Sequence, residues 1–414
     1  MVIDKEDYAA SFVYRIMMNT IILYFKNIIE RLFIFFYRAF YLPIRVRQIR
    51  KKKVINVAFV LSDLGKWKTE LLLRAMLAHP RFSPIIFVVP YSYEDNSDIT
   101  LLTDYLEKNR YCYHKIGLNQ SFSDYVRPDI LFYQEPYSGN ILRNFFSLYC
   151  FVPYAFHTTD ANWFIDTPML NIAWQVYFEN TLATKNISSV MQNRGQNCIV
   201  TGLPYTELFY RPLNYKDPWK QQKGKKKRII WAPHHTINTD RFVCHSTFLE
   251  YFDTIFSLAK KYKDEIQIAF KPHPVLKSKL IKIWGQERTE IYYSQWEKGE
   301  NTQLVLGNYV PLFLYSDAMI HDCGSFTVEY HYTKKPVMYL VNEKFQADHL
   351  NEFGKKAFEL HYMGRNAEDI DHFINNIIEG KDDMKDARER FYNDCLLPPN
   401  GDSASDNIIN AIIG

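Results

Sequence analysis

The sequence is short of several features that would place a protein quickly. Its most apolar segment holds no uninterrupted run longer than ten uncharged residues, 16–25, and Asn19 and Thr20 lie inside it. A bilayer span needs about twenty apolar residues, so no transmembrane helix is expected there. The six cysteines (112, 150, 198, 244, 323 and 395) form no CxxC pair. That spacing argues for a reducing compartment and against a zinc ribbon or a disulfide scaffold. No signal-peptide cleavage pattern is evident. There is no GxGxxG and no GxxxxGK[ST], which removes support for a dinucleotide fingerprint or a P-loop. The one DxD, Asp369-Ile370-Asp371, sits in a charged helical stretch and reads as surface. No HExxH or similar spacing joins His234, His235, His273, His321 and Asp322, so no metal site is expected. Phosphate charge would then be met by helix termini, histidine and lysine.

What is present is length, aromatic side chains and uneven charge. The 414 residues suit two α/β domains, and aromatics reach 16%. No internal repeat appears. The net charge is +4, but residues 1–53 carry eleven Lys/Arg against four Asp/Glu, so that segment is +7 and the remainder −3. Residues 12–41 are rich in Ile, Leu, Phe and Tyr, interrupted by Arg15, Lys26, Glu30, Arg31 and Arg38. This suits interfacial helices on a membrane surface, followed by a basic clamp at Arg45, Arg47 and Arg50 to Lys53. A helix docked on the protein's own core and a nucleic-acid patch are the alternatives. No recognition motif supports nucleic acid.

From Val54 the chain alternates. Strands are expected over 54–61, 85–89, 111–116, 129–133, 151–156 and 198–201, with helices over 65–79, 99–108, 140–148, 169–180 and 181–195. Alternation of this kind implies a parallel sheet covered on both faces. Ligands of such sheets sit at the carboxyl ends of strands, which places His157 where chemistry would occur. Residues 211–228 turn polar, basic and proline-bearing and read as a linker. A second domain over 229–414 repeats the pattern, with strands over 228–232 and 266–271 and helices over 248–262, 369–380 and 401–413. The strands end in Pro233-His234-His235-Thr236 and in Lys271-Pro272-His273-Pro274. Two Rossmann-like α/β domains, 54–210 and 229–414, facing a central cleft make a GT-B type architecture.

The stretch 315–340 organises the second domain. Ala318 to His321 reads as a buried strand, Asp322-Cys323-Gly324-Ser325 as a tight turn, and Ser325 as the N-cap of a helix that carries Glu329. Lys335-Pro336 stops that helix, and 337–340 is the next strand. Free N–H groups and the helix dipole would face one anion, and Glu329 would accept from sugar hydroxyls.

In order and spacing, Phe156-His157-Thr158-Thr159, Thr201-Gly202-Leu203-Pro204, Ile230-Trp231-Ala232-Pro233, Lys271-Pro272-His273-Pro274, and Ser316-Asp317 through Asp322-Cys323-Gly324-Ser325 to Glu329 and Lys335-Pro336 resemble the CDP-glycerol glycerophosphotransferase family. The resemblance covers roughly residues 150–410. It implies a GT-B enzyme at the cytoplasmic membrane face that transfers a polyol phosphate from a CDP-linked donor to a lipid-linked or polymeric glycan acceptor. CMP leaves; no cofactor is expected. It assigns His157 as general base on the acceptor side and His273 to the donor phosphates. Pro233, His234, His235, Thr236, Lys271, Asp322, Gly324, Ser325 and Glu329 would line the donor site. The chain departs from the family at Thr158, Asp160, His234, His235 and Cys323-Gly324, so the transferred group stays open. A different GT-B nucleotide-sugar enzyme, a glycosyltransferase or 2-epimerase, and a non-catalytic nucleotide-binding scaffold remain the alternatives.

Overall fold

The computed structural model describes residues 27–90, 97–117, 120–135, 146–160, 162–211, 214–237, 246–342 and 349–414. Two all-parallel sheets organise them. The first contains β1 (Ile55–Leu61), β2 (Phe82–Val88), β3 (Tyr113–Lys115), β4 (Ile130–Tyr133), β5 (Leu148–Phe151), β6 (Gln175–Phe178) and β7 (Cys198–Val200). Their spatial order is β3-β2-β1-β4-β5-β6-β7. The second contains β8 (Lys227–Ala232), β9 (Ile266–Phe270), β10 (Thr302–Leu304), β11 (Ala318–His321), β12 (Val337–Leu340) and β13 (Tyr362–Gly364), ordered β10-β9-β8-β11-β12-β13. In each sheet the order reverses beside the first strand, at β1/β4 and at β8/β11. Ligands of doubly wound sheets bind at such switch points. This is the GT-B type architecture expected.

Period-two alternation divides the second sheet's side chains between two cores. Ile229, Trp231, Ile268, Phe270, Ala318 and Ile320 pack under the helices Phe248–Lys261 and Gln286–Lys298. Ile230, Ala232, Ala269 and Met319 face the other way and join the core that runs on through the first sheet. The last helix, Ala404–Ile413, is capped by Ser403, whose Oγ accepts from the Asp406 N–H at 3.0 Å. Although counted in the sequence with the second domain, it packs on the first, with Ile408, Ile409 and Ile412 buried there. The linker is anchored too. Trp219 is buried, and its indole N–H donates to the Leu312 carbonyl at 3.3 Å.

Three expectations change. The strand expected over 151–156 is Leu148–Phe151, because Pro153 has no N–H for a central strand's ladder. The helix expected over 140–148 lies largely outside the described residues, and Leu148 opens β5. The helices expected over 169–195 are broken by β6. Only Pro168–Ile172 and Ile187–Val190 are helical, since a short apolar run such as Gln175–Phe178 carries no periodicity to separate strand from helix.

At the amino end, residues 27–50 are helical, passing through a π turn at Tyr37–Tyr41 into Leu42–Arg50. Residues 1–26 of the expected membrane-surface segment lie outside the described residues. One face of the helix docks on the body. Ile34, Tyr37, Leu42 and Ile49 are buried. Arg38 donates to the Asn171 and Ala173 carbonyls at 3.2 and 3.0 Å. Arg50 donates to the Ala411 and Ile412 carbonyls, both at 3.0 Å, at the negative end of the last helix. The other face is apolar and open, with Phe35, Phe36 and Phe40 each more than half exposed. Among the described residues no helix is long and apolar enough to cross a membrane.

Candidate active site

The second switch point is built around Asp322, at the end of β11. Its carboxylate is fully buried and accepts from the His234 N–H (2.5 Å), the Thr247 N–H (2.6 Å) and the Thr247 and Ser246 hydroxyls (3.0 Å each). Burial raises its pKa, and these hydrogen bonds work against that rise. Asp322 is therefore turned into the protein, where it ties the loop after β8 to the start of helix Phe248–Lys261. It positions the expected donor loop instead of facing a ligand.

That loop and the loop after β9 lie side by side because their strands pair. The His273 N–H donates to the Pro233 carbonyl at 3.1 Å. The rings of His234, His235 and His273 gather at centroid distances of 4.3 Å (His234 to His235), 5.0 Å (His234 to His273) and 4.2 Å (His235 to His273). Burial pushes His234 down to about 3 and His273 down to about 4, and it lowers His235. All three are neutral near pH 7. Nδ1 of His234 meets the Thr236 hydroxyl at 3.0 Å, and Nδ1 of His273 accepts from the Val275 N–H at 3.2 Å. Lys271 is buried with its pKa lowered by desolvation, and it makes no ion pair among the described residues.

The first switch point, between β1 and β4, supplies charge that the sequence reading missed. Lys66 pairs with Glu135 at 2.7 Å, and Glu135 also accepts from the Ser62 hydroxyl at 3.1 Å. The Lys68 N–H is held by Gln134. Its ammonium donates to the Tyr309 hydroxyl at 3.2 Å and lies over the Tyr205 ring, 5.2 Å from the centroid. Lys68 is also close enough to Lys271 to help lower its pKa. Lys68 follows a strand of the first sheet and Lys271 a strand of the second. Applying the strand-end rule to β1 and β4, as it was applied to β5, would have found Lys66 and Lys68.

The organising turn differs from its expected form. Ser325 is exposed, has helical φ/ψ and makes no side-chain cap. The helix it was to cap is only Phe326–Glu329, continuing as a 3-10 turn over Tyr330–Thr333. The N–H groups of Phe326 and Thr327 are taken by the Cys323 and Gly324 carbonyls, both at 3.3 Å. One turn of helix carries little dipole, so the anion cradle expected at Gly324-Ser325 is weak. Glu329 is 3% exposed beside Lys68, Tyr309 and Tyr205, with its pKa raised by burial. It is packed among protein groups, and its Oε2 has no hydrogen-bond partner among the described residues.

His157 lies six residues beyond β5. Its N–H donates to Glu179 Oε1 at 2.6 Å, and its carbonyl accepts from Asn351 Nδ2 at 2.7 Å. Its ring stands edge-on to Phe178, 5.9 Å between centroids. It lines a small cavity with Asp160, Leu182, Asn186, Val190 and Asn351. Burial pushes the imidazole down to about 4, opposed by Asp160. The ring is thus unprotonated at neutral pH, the form a general base needs, at some loss of basicity. Burial also pushes Glu179 up to about 7. The second half clamps this loop. The Asn351 N–H donates to the Thr158 carbonyl at 3.0 Å, and the Asp160 N–H to the His349 carbonyl at 3.1 Å. Gly354 is required there, since a Cβ would stand 2.2 Å from the Thr158 carbonyl oxygen. Among the described residues no contact joins His157 to His273. Asp369 and Asp371 accept from the Arg365 N–H and from Lys261 at the surface, as expected of that DxD.

The family model described as CDP-Glycerol:Poly(glycerophosphate) glycerophosphotransferase matches residues 174–414. The chain belongs to this family. That makes it an enzyme of the CDP-glycerol glycerophosphotransferase type, and the matched residues include both histidine loops of the second sheet. Solved structures share the fold. The wall teichoic acid polymerase TagF is similar at 13% identity, covering 95% of this chain and 96% of that one, with a TM-score of 0.54. A putative UDP-N-acetylglucosamine 2-epimerase from Listeria monocytogenes is similar at 14% identity over 87% and 96%, with a TM-score of 0.57. The UDP-GlcNAc 2-epimerase of Neisseria meningitidis is similar at 14% over 87% and 99%, with a TM-score of 0.55. No curated protein matches the glycerophosphotransferase in sequence.

Proposed function

We propose that this glycerophosphotransferase moves glycerol phosphate, or a close polyol phosphate, from CDP-glycerol to a hydroxyl of a membrane-associated glycan or polyol-phosphate acceptor. The acceptor oxygen bonds to the donor's β-phosphorus, the bond from that phosphorus to the bridging oxygen breaks, and CMP leaves. His157 takes the acceptor's proton, and Lys271, Lys68 and the His273 loop meet the charge of the diphosphate. Pro233, His234, His235 and Thr236 border the diphosphate, and Gly324 and Ser325 approach it from the turn.

The observation that carries this reading is the family match across the loops that bring His234, His235, Lys271 and His273 to one switch point. The open apolar face of helix 27–50, with Arg31 and Arg47 exposed on the same helical segment, supports attachment to an anionic membrane at its cytoplasmic side. The test is CMP release from CDP-glycerol on vesicles carrying a polyol-phosphate acceptor. Acceptor-dependent CMP release, with no conversion of UDP-N-acetylglucosamine, is expected. Turnover of the UDP-sugar in place of CDP-glycerol would replace this reading with the epimerase-like one. Nucleotide binding without turnover of either would leave only a scaffold.

A further inference from the structure

Spacing along the chain argues against a metal site, but the pairing of β8 with β9 supplies proximity that spacing does not. One ring nitrogen from each of His234, His235 and His273 can be chosen so that all three lie within 4.8 Å of one another. The loops are fixed from beneath. Asp322 holds the His234 backbone, Pro233 holds the His273 backbone, and Trp231 anchors the strand by stacking on Phe270 at 4.9 Å. Nδ1 of His235 is buried with no hydrogen-bond partner among the described residues. A buried ring nitrogen without a partner is an uncompensated cost unless something fills the site. Nδ1 of His234 faces the Thr236 hydroxyl at 3.0 Å, and an Nδ1–H donated to that oxygen would leave Nε2 as the lone pair offered to a metal.

We propose that His234, His235 and His273 bind one divalent transition-metal ion of the zinc type, one ring nitrogen each, leaving a coordination position for a phosphate oxygen of the donor. Three imidazoles with an open fourth position form a recurring zinc donor set, and imidazole suits this class of ion. Ligation at about 2.0–2.1 Å places tetrahedral nitrogens roughly 3.4 Å apart, so the rings must close inward by side-chain rotation. His273 must also turn away from the Val275 N–H, which occupies its Nδ1. Among the described residues no carboxylate completes the donor set. Lys279 and Lys271 add positive charge nearby. The ion is therefore held best together with an anion, and metal and nucleotide diphosphate should strengthen each other's binding equally.

This proposal rests on the donor-site reading and is tested on the full chain by titrating Co²⁺ with and without CDP. The readout is the visible ligand-field absorption of tetrahedral Co²⁺, followed by competition with Zn²⁺. One Co²⁺ per chain, bound more tightly with CDP, supports the proposal. His235→Ala should weaken Co²⁺ by more than the roughly 10–100-fold that losing a hydrogen-bond partner of a ligating histidine costs, and Thr236→Val by about that amount. Should His235→Ala unfold, His235→Gln gives the same comparison at matched Tm. CDP binding with no stoichiometric Co²⁺, or Co²⁺ binding indifferent to all these substitutions, overturns the metal site and leaves the donor site standing. Stoichiometric Co²⁺ with no coupling to CDP overturns the donor-site placement instead.

Discussion

Three histidines outside the reacting groups should make this protein sensitive to acid. His321, His331 and His361 are at most 2% exposed. The bonds of His361 and His321 fit one chain of neutral tautomers. His361 Nδ1–H donates to the Ala357 carbonyl at 3.0 Å, His321 Nε2–H donates to His361 Nε2 at 3.2 Å, and His321 Nδ1 accepts from the Cys323 N–H at 3.2 Å. A proton added to Nε2 of His361 turns that acceptor into a donor that faces the His321 N–H. Burial pushes His361 down to about 3 and holds His321 and His331 well below the usual value. The unfolded chain takes these protons near pH 6.5 while the folded protein does not. Stability from the three rings is therefore complete above pH 6.5 and is lost as pH falls below it. At pH 5 the His361 ring alone costs about 2 kcal/mol, against a typical total of about 5–15 kcal/mol, and His321 and His331 act in the same direction.

The buried carboxyls of Glu179, Asp322 and Glu329 push the other way. Their folded pKa values are raised, so they bind protons before the unfolded chain does and gain stability as pH falls. The informative quantity is thus a difference between two proteins. Urea unfolding of wild type and His361→Gln at pH 7.5 and 5.0 should show the variant losing less stability on acidification, by about 2 kcal/mol. Equal losses in the two proteins would refute the reasoning.

Gly354→Ala should displace the Thr158 carbonyl and with it the His157 loop, lowering CMP release by at least about 10-fold while donor affinity persists; unchanged turnover would contradict the clamp. Replacing Phe35, Phe36 and Phe40 together by Ser should weaken cosedimentation with anionic vesicles at least about 100-fold, since each buried phenyl contributes about 1.5–3 kcal/mol. Deleting residues 1–53 is a poor substitute, because it would strip Ile34, Tyr37, Leu42 and Ile49 from the core. Arg388→Ala should cost about 3–5 kcal/mol in urea unfolding, because the fully buried guanidinium is paired with Asp382.

Strands bounded by turn residues or prolines were legible, and so was the doubly wound pattern they imply. Ala318–His321 and Val337–Leu340 fall where apolar run, turn and Lys335-Pro336 placed them. β6 was not legible, because four residues buried on both faces carry no period. Of the candidate site, the histidines could be located by strand ends, but their company could not. His234, His235 and His273 meet through strand pairing, which spacing does not encode. Lys68 and Glu179 carry no compositional signal, and their importance comes from what the other half of the chain sets against them. Ser325 was read as a helix cap, but the turn closes with the Cys323 and Gly324 carbonyls accepting from Phe326 and Thr327, which residue types alone do not encode.

The central claim, that His157 is the base and His273 serves the diphosphate, rests most directly on one measurement. CMP release from CDP-glycerol is followed alongside donor titration for wild type, His157→Ala and His273→Ala. The account predicts that His157→Ala keeps donor affinity and loses about 10²–10⁴-fold in turnover, the range for a general base. His273→Ala should weaken the donor as well as the rate. Near-wild-type turnover in His157→Ala, or unaltered donor affinity in His273→Ala, would contradict it.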